Sequence, residues 1–138
     1  MDIRQGFLIH SPAIRVPWGI SETEITYLFK GHSLRAITKG YYTLPCEPLS
    51  DLYCSLGFHF RPTNQLNELE FFRTDYPDQK KCFDDFQSSF EETFGSPTKT
   101  EESPAGFPQY TWTLTGIEIV HFIVYRFCLE EHMRIRKI

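Results

Sequence analysis

The sequence predicts an α+β domain in which an antiparallel sheet carries two helices on one face. Two segments, 21–31 and 75–95, contain helix start and stop signals, and most of the remaining chain alternates apolar and polar residues as strands do. Aromatic residues make up 16% of the chain, with 13 Phe and 7 Tyr, and flat rings suit the pleated surface of a sheet. At 138 residues the chain is expected to form a single domain, 1–138, around one core.

The first helix is predicted to begin at Ser21. Ser21 and Glu24 form a capping box, in which each side chain bonds a backbone N–H that the helix leaves open. Gly31 is placed to end the helix in the left-handed conformation. Before this helix, residues 6–10 form a short edge strand, which Pro12 ends because proline cannot donate to a ladder.

The strands of the first half follow a loop. Residues 32–39 are predicted to be that loop and residues 41–44 a strand. The Pro-Cys-Glu-Pro segment that follows, 45–48, must turn or run as an edge, because each proline removes a donor. Residues 52–61 alternate apolar and polar side chains, which predicts a half-buried strand. Residues 66–73 return beside it, so the pair is predicted to be a β-hairpin.

The second helix is predicted to open within residues 75–78. Asp75 or Asp78 is the cap, with Pro77 in the first turn, where its missing N–H costs nothing, and Gly95 ends the helix. Four phenylalanines at spacings of three, four and four form one buried stripe. They are Phe83, Phe86, Phe90 and Phe94.

The densest apolar run of the chain lies near its end and is predicted to form the centre of the sheet. Residues 98–108 are a solvated loop and 110–114 a strand. Residues 117–125 are nearly all apolar, which predicts a strand buried on both faces. The chain is expected to turn near 129–131 and to end in a strand over 132–136.

The two halves have a similar order of elements. Each contains a capped helix, a polar loop, an aromatic strand and a hairpin of long strands, which gives the order α-β-β-β twice. Such a chain is expected to place both helices on one face of an antiparallel sheet.

Cysteine spacing and hydropathy predict the state of the thiols and the cellular location. The four cysteines form no C-x-x-C pair, so free thiols are expected, with Cys54 and Cys128 on strands and Cys54 buried and inert. No apolar run reaches the ~18 residues of a membrane span, and the N-terminus lacks the apolar core of a signal peptide. We therefore expect a soluble, cytoplasmic protein that does not bind membranes.

The sequence contains no pattern that dictates a chemistry. The five histidines form no metal-binding pair, and the eight glycines form no phosphate-binding loop. Residues 130–132, Glu-Glu-His, are interpreted as a polar hairpin tip rather than as acid–base machinery. No enzyme activity, metal or cofactor is predicted.

Charge is unevenly distributed along the chain. Residues 68–102 carry four Lys or Arg and ten Asp or Glu, a net charge of −6, whereas 1–67 and 103–138 are each +1. Such a surface favours a basic protein partner and disfavours nucleic acid. The predicted partner-binding residues are these acids with two aromatic anchors: Glu68, Glu70, Tyr76, Asp84, Asp85, Glu91, Glu92, Glu101, Glu102 and Phe107.

One resemblance specifies the partner. The segment WGISETE, residues 18–24, has the form W-G-x-S-x-x-E and precedes hairpins, a second helix ending in Phe-Gly and a closing Tyr-x-Trp strand. In this order the chain resembles small bacterial immunity proteins of secreted toxins, including those of contact-dependent growth inhibition systems. The resemblance implies a cytoplasmic protein that neutralises a cognate toxin domain, often a basic nuclease, by covering its active site. It implies no catalytic residue.

Two other hypotheses remain open at this point. A small enzyme or ligand carrier would have a pocket between sheet and helices, lined by Trp112, Phe122 and Tyr125. A deep pocket with His121 or His59 beside a carboxylate would favour that hypothesis. A homodimer joined through edge strands is compatible with either function.

Overall fold

The computed structural model describes all residues, 1–138, and contains two helices and ten strands. The helices are α1 (Glu22–Leu28) and α2 (Gln79–Phe94). The strands are β1 (Gly6–Leu8), β2 (Arg15–Pro17), β3 (Arg35–Thr38), β4 (Tyr41–Leu49), β5 (Leu52–Phe60), β6 (Leu66–Phe72), β7 (Lys99–Glu101), β8 (Gln109–Leu114), β9 (Ile117–Tyr125) and β10 (Leu129–Lys137).

Eight of the strands form one antiparallel sheet that joins both halves of the chain. Its order is β3-β4-β5-β6-β10-β9-β8-β7, while β1 and β2 pair separately. Each half is a helix followed by a four-stranded meander, and the halves meet where β6 pairs with β10. The predicted α+β class is confirmed.

Each half has one strand more than the predicted α-β-β-β order. β3 and β7 lie within the segments predicted to be loops, 32–39 and 98–108. Both are edge strands whose residues are all exposed, so they lack the apolar alternation by which a strand is recognised.

Both helices pack on one face of the sheet, as predicted. On α2, the ring of Phe90 contacts Phe71 of β6 edge to face at 5.0 Å. Beside α1, Phe29 contacts Phe58 of β5 at 5.5 Å. Phe58 and Phe71 are buried on the same side because Phe58 lies opposite Leu69, two residues before Phe71.

The helix ends follow the predicted caps closely. Ser21 and Glu24 form the reciprocal capping box, and Asp78 caps α2 by accepting a hydrogen bond from the Lys81 N–H at 3.0 Å. Because Asp78 is the cap, Pro77 precedes the helix instead of lying in its first turn. Gly95 ends α2 with φ of +83°, a conformation in which side chains are strained.

Strand β4 continues through residues 45–48, for which the prolines predicted either a turn or an edge, and the structure has the edge. β3 pairs with β4 only as far as Thr43, so beyond that residue β4 is itself an edge. Pro45 lies opposite Ser55 of β5 and has no strand of the sheet on its other side. Its missing N–H therefore removes no strand-to-strand hydrogen bond there. The Pro48 carbonyl accepts a hydrogen bond from the His10 N–H at 3.1 Å, which ties the N-terminal segment to the sheet.

Strand β9 is not buried on both faces as predicted. Its odd-numbered residues 117–123 are buried under the helices, whereas Val120, Phe122 and Val124 are partly exposed on the other face. The hairpin turn lies at residues 126–128, not 129–131, so Cys128 is exposed in the turn and Glu131 lies within β10. Neither helix has the length and apolarity that a membrane-spanning helix requires.

Candidate functional site

One face of the eight-stranded sheet, here called the open face, carries no helix. Side chains alternate along each strand, so the residues that face away from Phe58 and Phe71 point to this side. With strand spacings of ~4.8 Å and a rise of ~3.3 Å per residue, the 56 strand residues of this sheet give a face of roughly 900 Å². Stable protein interfaces bury ~800 Å² per partner, so the open face is large enough for one.

Four charged residues form a cluster, here called the central cluster, where β6 and β10 meet on the open face. An Arg134 nitrogen lies 2.6 Å from Glu68, and its second guanidinium nitrogen lies 3.2 Å from Glu70. Arg136 Nε lies 2.7 Å from the other oxygen of Glu68. In the β-ladder Glu70 lies opposite Arg134 and Glu68 opposite Arg136, so strand register itself pairs the charges.

Aromatic and histidine rings border the central cluster on the β5 side. His59 Nε2 lies 2.9 Å from Glu70 Oε1, and the ring of Tyr41 stacks on His59 with centroids 4.5 Å apart. Gly57 leaves room for this ring, because a Cβ there would approach the Tyr41 ring to 3.0 Å. Burial raises the pKa of Glu70, but its bond with His59 and the charge of Arg134 outweigh burial and lower that pKa overall.

A similar arrangement borders the cluster on the β9 side. Phe122 stacks on His132 with centroids 4.8 Å apart, and Arg134 Nε lies 3.4 Å from His132 Nδ1. Burial lowers the pKa of His132, and the nearby Arg134 guanidinium lowers it further. The open face therefore presents aromatic rings around charges that are already paired.

The predicted acidic residues do not form one surface. Glu68 and Glu70 lie on the open face, whereas the acids of α2 lie beyond the opposite face, because α2 packs on the side of Phe71. The prediction of one acidic patch through the middle third is wrong in this respect, since consecutive strand residues point to opposite faces and a helix covers only one of them.

Three of the six predicted acids outside the open face have basic neighbours within the chain. Lys80 and Asp84 are 2.7 Å apart, and Lys81 and Asp85 are 3.0 Å apart, with Arg73 also 3.5 Å from Asp85. Glu101 pairs with Lys99 at 2.7 Å. The remaining predicted acids, Glu91, Glu92 and Glu102, are exposed and have no salt bridge.

The two predicted aromatic anchors pack against the protein itself. The Tyr76 hydroxyl accepts a hydrogen bond from the Arg73 N–H at 3.0 Å, and burial raises the pKa of Tyr76 to about 12. The ring of Phe107 lies 5.2 Å from that of Phe83 on α2. Both side chains are half-buried and hold loops in place.

A buried histidine–glutamate pair lies under α2, where the sequence interpretation placed a polar hairpin tip. His121 Nε2 and Glu131 Oε2 are 2.6 Å apart, with side chains 0% and 1% exposed. Gln87 lies 2.8 Å from His121 Nδ1, and Gln79 donates to the second Glu131 oxygen at 2.8 Å. Burial lowers the pKa of His121 and Glu131 opposes that shift. Both polar side chains are enclosed, so this pair links α2 to the β9–β10 hairpin.

The alternation of side chains between the two faces of a strand is the sequence signal that would have revealed this pair. His121 shares its face of β9 with Ile119 and Ile123, and Glu131 shares its face of β10 with Met133. The interpretation of Glu131 as a turn residue hid that relation, because the turn lies three residues earlier.

The predicted aromatic pocket is absent, because its three lining residues point in different directions. Trp112 is buried beneath α2 and donates a hydrogen bond to the Gly95 carbonyl at 2.8 Å. Phe122 lies on the open face, and Tyr125 is 69% exposed at the end of β9. No group of three or more His, Cys, Asp or Glu side chains is arranged to hold a metal ion.

Comparisons with known proteins leave the chain without an assigned family. No family model matches it, and no curated protein matches it. Among solved structures it is similar to a DUF4309 family protein, YjgB, from Bacillus subtilis subsp. subtilis str. 168, with 12% sequence identity and a TM-score of 0.45 over 100% of this chain and 87% of that chain. At this level the likeness carries no inference about function.

Proposed function

We propose that this protein is a non-enzymatic binding protein that neutralises a cognate bacterial toxin domain, and that the open face is the surface that covers the toxin. The observation that carries the proposal is a sheet face of interface size, free of helices, with arginine, tyrosine and phenylalanine around a half-buried charge cluster. Aromatic and arginine side chains dominate binding energy at protein interfaces. The toxin as partner follows from the resemblance to immunity proteins.

The arrangement of charge favours the open face over the outer side of α2. Arg134 and the acids around it are already paired and partly shielded from water, so a partner that covers them leaves no new unpaired charge. Glu91 and Glu92 at the end of α2 form the competing surface because they are exposed without a salt bridge. Binding through the open face should depend weakly on salt, and binding through these exposed acids strongly.

The decisive experiment reads the genes beside the one for this chain and, where they encode a C-terminal toxin domain, uses that domain. Co-expression should restore growth of cells that produce this domain, and calorimetry with the purified domain should show a complex. The proposal fails if the neighbouring genes encode no toxin domain, or if the purified domain retains its activity in the presence of this chain.

Two alanine variants locate the surface. Tyr41→Ala and Phe122→Ala should each weaken binding at least about tenfold, which is ~1.4 kcal/mol and typical of an aromatic anchor. Tyr27→Ala is the matched control, because Tyr27 is 79% exposed on α1, away from the open face. Unfolding midpoints are compared first, so that weaker binding is not confused with misfolding.

A charge-reversal variant tests the competing surface. If Asp84, Asp85, Glu91 and Glu92 are all replaced by Lys, binding through the open face should persist. Loss of the complex in this variant, with both alanine variants still binding, would place the interface on α2 instead.

A further inference from the structure

Two cysteines lie directly opposite each other in neighbouring strands. Cys46 of β4 is the register partner of Cys54 of β5, and both thiols are free. Directly opposed residues in an antiparallel pair have Cα atoms ~4.5–5.5 Å apart. Disulfides span Cα separations of ~4.4–6.8 Å, so this ladder position can be bridged without separating the strands.

Both cysteines also line one cleft at the surface. The cleft has a volume of about 690 Å³ and includes the side chains of Arg73 and Glu47. Cys46 and Cys54 are both partly exposed residues of this cleft, so Cys54 is less buried than the sequence predicted.

We propose that Cys46 and Cys54 form a redox pair, which a low-molecular-weight disulfide such as oxidised glutathione converts into an intramolecular disulfide. The Cys46 thiolate attacks one glutathione sulfur, so a mixed disulfide forms and the first glutathione leaves as a thiol. The Cys54 sulfur then attacks the Cys46 sulfur and releases the second glutathione. The two protein sulfurs are oxidised, their two protons pass to the released thiols, and one glutathione disulfide is reduced to two glutathione molecules.

The setting of the thiols makes this exchange slow at neutral pH. Burial raises the pKa of Cys46 to about 12, and burial together with the neighbouring Cys46 sulfur raises the pKa of Cys54 as well. Because the thiolate is the attacking species, the rate should increase about tenfold for each pH unit between neutral pH and the thiol pKa.

The test oxidises the intact protein with oxidised glutathione at several pH values and analyses it by mass spectrometry. One tryptic peptide, 40–73, contains both cysteines and neither Cys82 nor Cys128, because Pro62 blocks cleavage after Arg61. After oxidation this peptide should be lighter by two hydrogen atoms and should resist alkylation. The thermal unfolding midpoint of the intact oxidised protein should be higher than that of the reduced protein, and it should return to the reduced value when a reductant is added.

Serine variants separate this pair from the other thiols. Cys46→Ser and Cys54→Ser should each abolish the loss of two hydrogens, and Cys54→Ser should retain glutathione on Cys46. Cys128→Ser is the matched control and should behave as wild type, because that thiol is exposed in a distant turn. The inference is overturned if Cys46 and Cys54 both remain alkylatable after oxidation, or if Cys54 is found linked to Cys82.

Discussion

The same pair of side chains, a histidine and a glutamate, occurs on both faces of this sheet with different surroundings. His121 and Glu131 lie 2.6 Å apart beneath α2, where both are nearly inaccessible to water. His59 and Glu70 lie 2.9 Å apart on the open face, where their side chains are 31% and 20% exposed. The geometry is similar, but the environment decides what each pair contributes.

The difference shows that burial, more than contact distance, determines how much a polar pair contributes to the free energy of unfolding. Beneath α2 every polar atom must find a protein partner, and Gln79 and Gln87 supply those partners. On the open face, water and Arg134 can compensate for a missing partner. The buried pair should therefore govern stability, whereas the exposed pair is free to serve a contact surface.

Removal of the buried carboxylate should have the largest effect. Glu131→Ala leaves His121 Nε2 and the Gln79 amide without a partner beneath α2, which should lower the free energy of unfolding by about 3–5 kcal/mol. Urea denaturation measures this change. Glu131→Gln keeps the volume and should recover part of the loss, and a cost under ~1 kcal/mol for the alanine variant would contradict the comparison.

Acid should weaken the buried pair at higher pH than the open-face pair. The pKa of His121 is lowered by burial, so the unfolded state takes up a proton first as pH falls below the ordinary histidine value of 6.5. The contribution of His121 to the free energy of unfolding is therefore fully present above pH 6.5. It should decline as the pH falls toward the lowered pKa of His121, by at most ~1.4 kcal/mol per pH unit.

The measurement is the urea midpoint of wild type and His121→Gln between neutral and acidic pH. The variant should show a flatter profile, although the lowered pKa of His132 leaves some slope in the same range. Identical profiles would mean that His121 is not linked to folding through its proton.

Removal of the open-face carboxylate should cost less. Glu70→Ala loses contacts with His59 and Arg134, for an expected loss of about 1 kcal/mol in urea denaturation. Because the pKa of Glu70 is lowered, its contribution should be present above the ordinary carboxyl value of 4.5 and lost as pH falls below it. A loss as large as that of Glu131→Ala would remove the distinction between the two faces.

The smallest expected effect is at the end of α2 and has the opposite sign. Glu92 is exposed in the last turn, where no basic residue offsets the negative end of the helix dipole. Glu92→Lys should stabilise the protein by about 0.3–1 kcal/mol, measured by urea denaturation at low salt. Glu92→Gln is the control: it removes the negative charge without adding a positive one, so it should stabilise the protein less.

The elements that the sequence predicted well share local signals. The capping box of Ser21 and Glu24, the cap at Asp78, the buried phenylalanines of α2 and the alternating strand 52–60 each depend on residues within a few positions of one another. The missed strands, β3 and β7, are held only by pairing with a neighbour. Their own residues carry no apolar alternation.

By itself, the sequence determined the α+β class, both helices and most strands, because hydrophobic periodicity and capping act locally along the chain. Tertiary structure alone decided which charges meet. Strand register set Glu68 and Glu70 against Arg134 and Arg136, and helix packing enclosed Glu131 with His121. These partners lie on different strands, so they meet only when the strands pair in the correct register. A shift of one residue would move their side chains to the opposite face of the sheet.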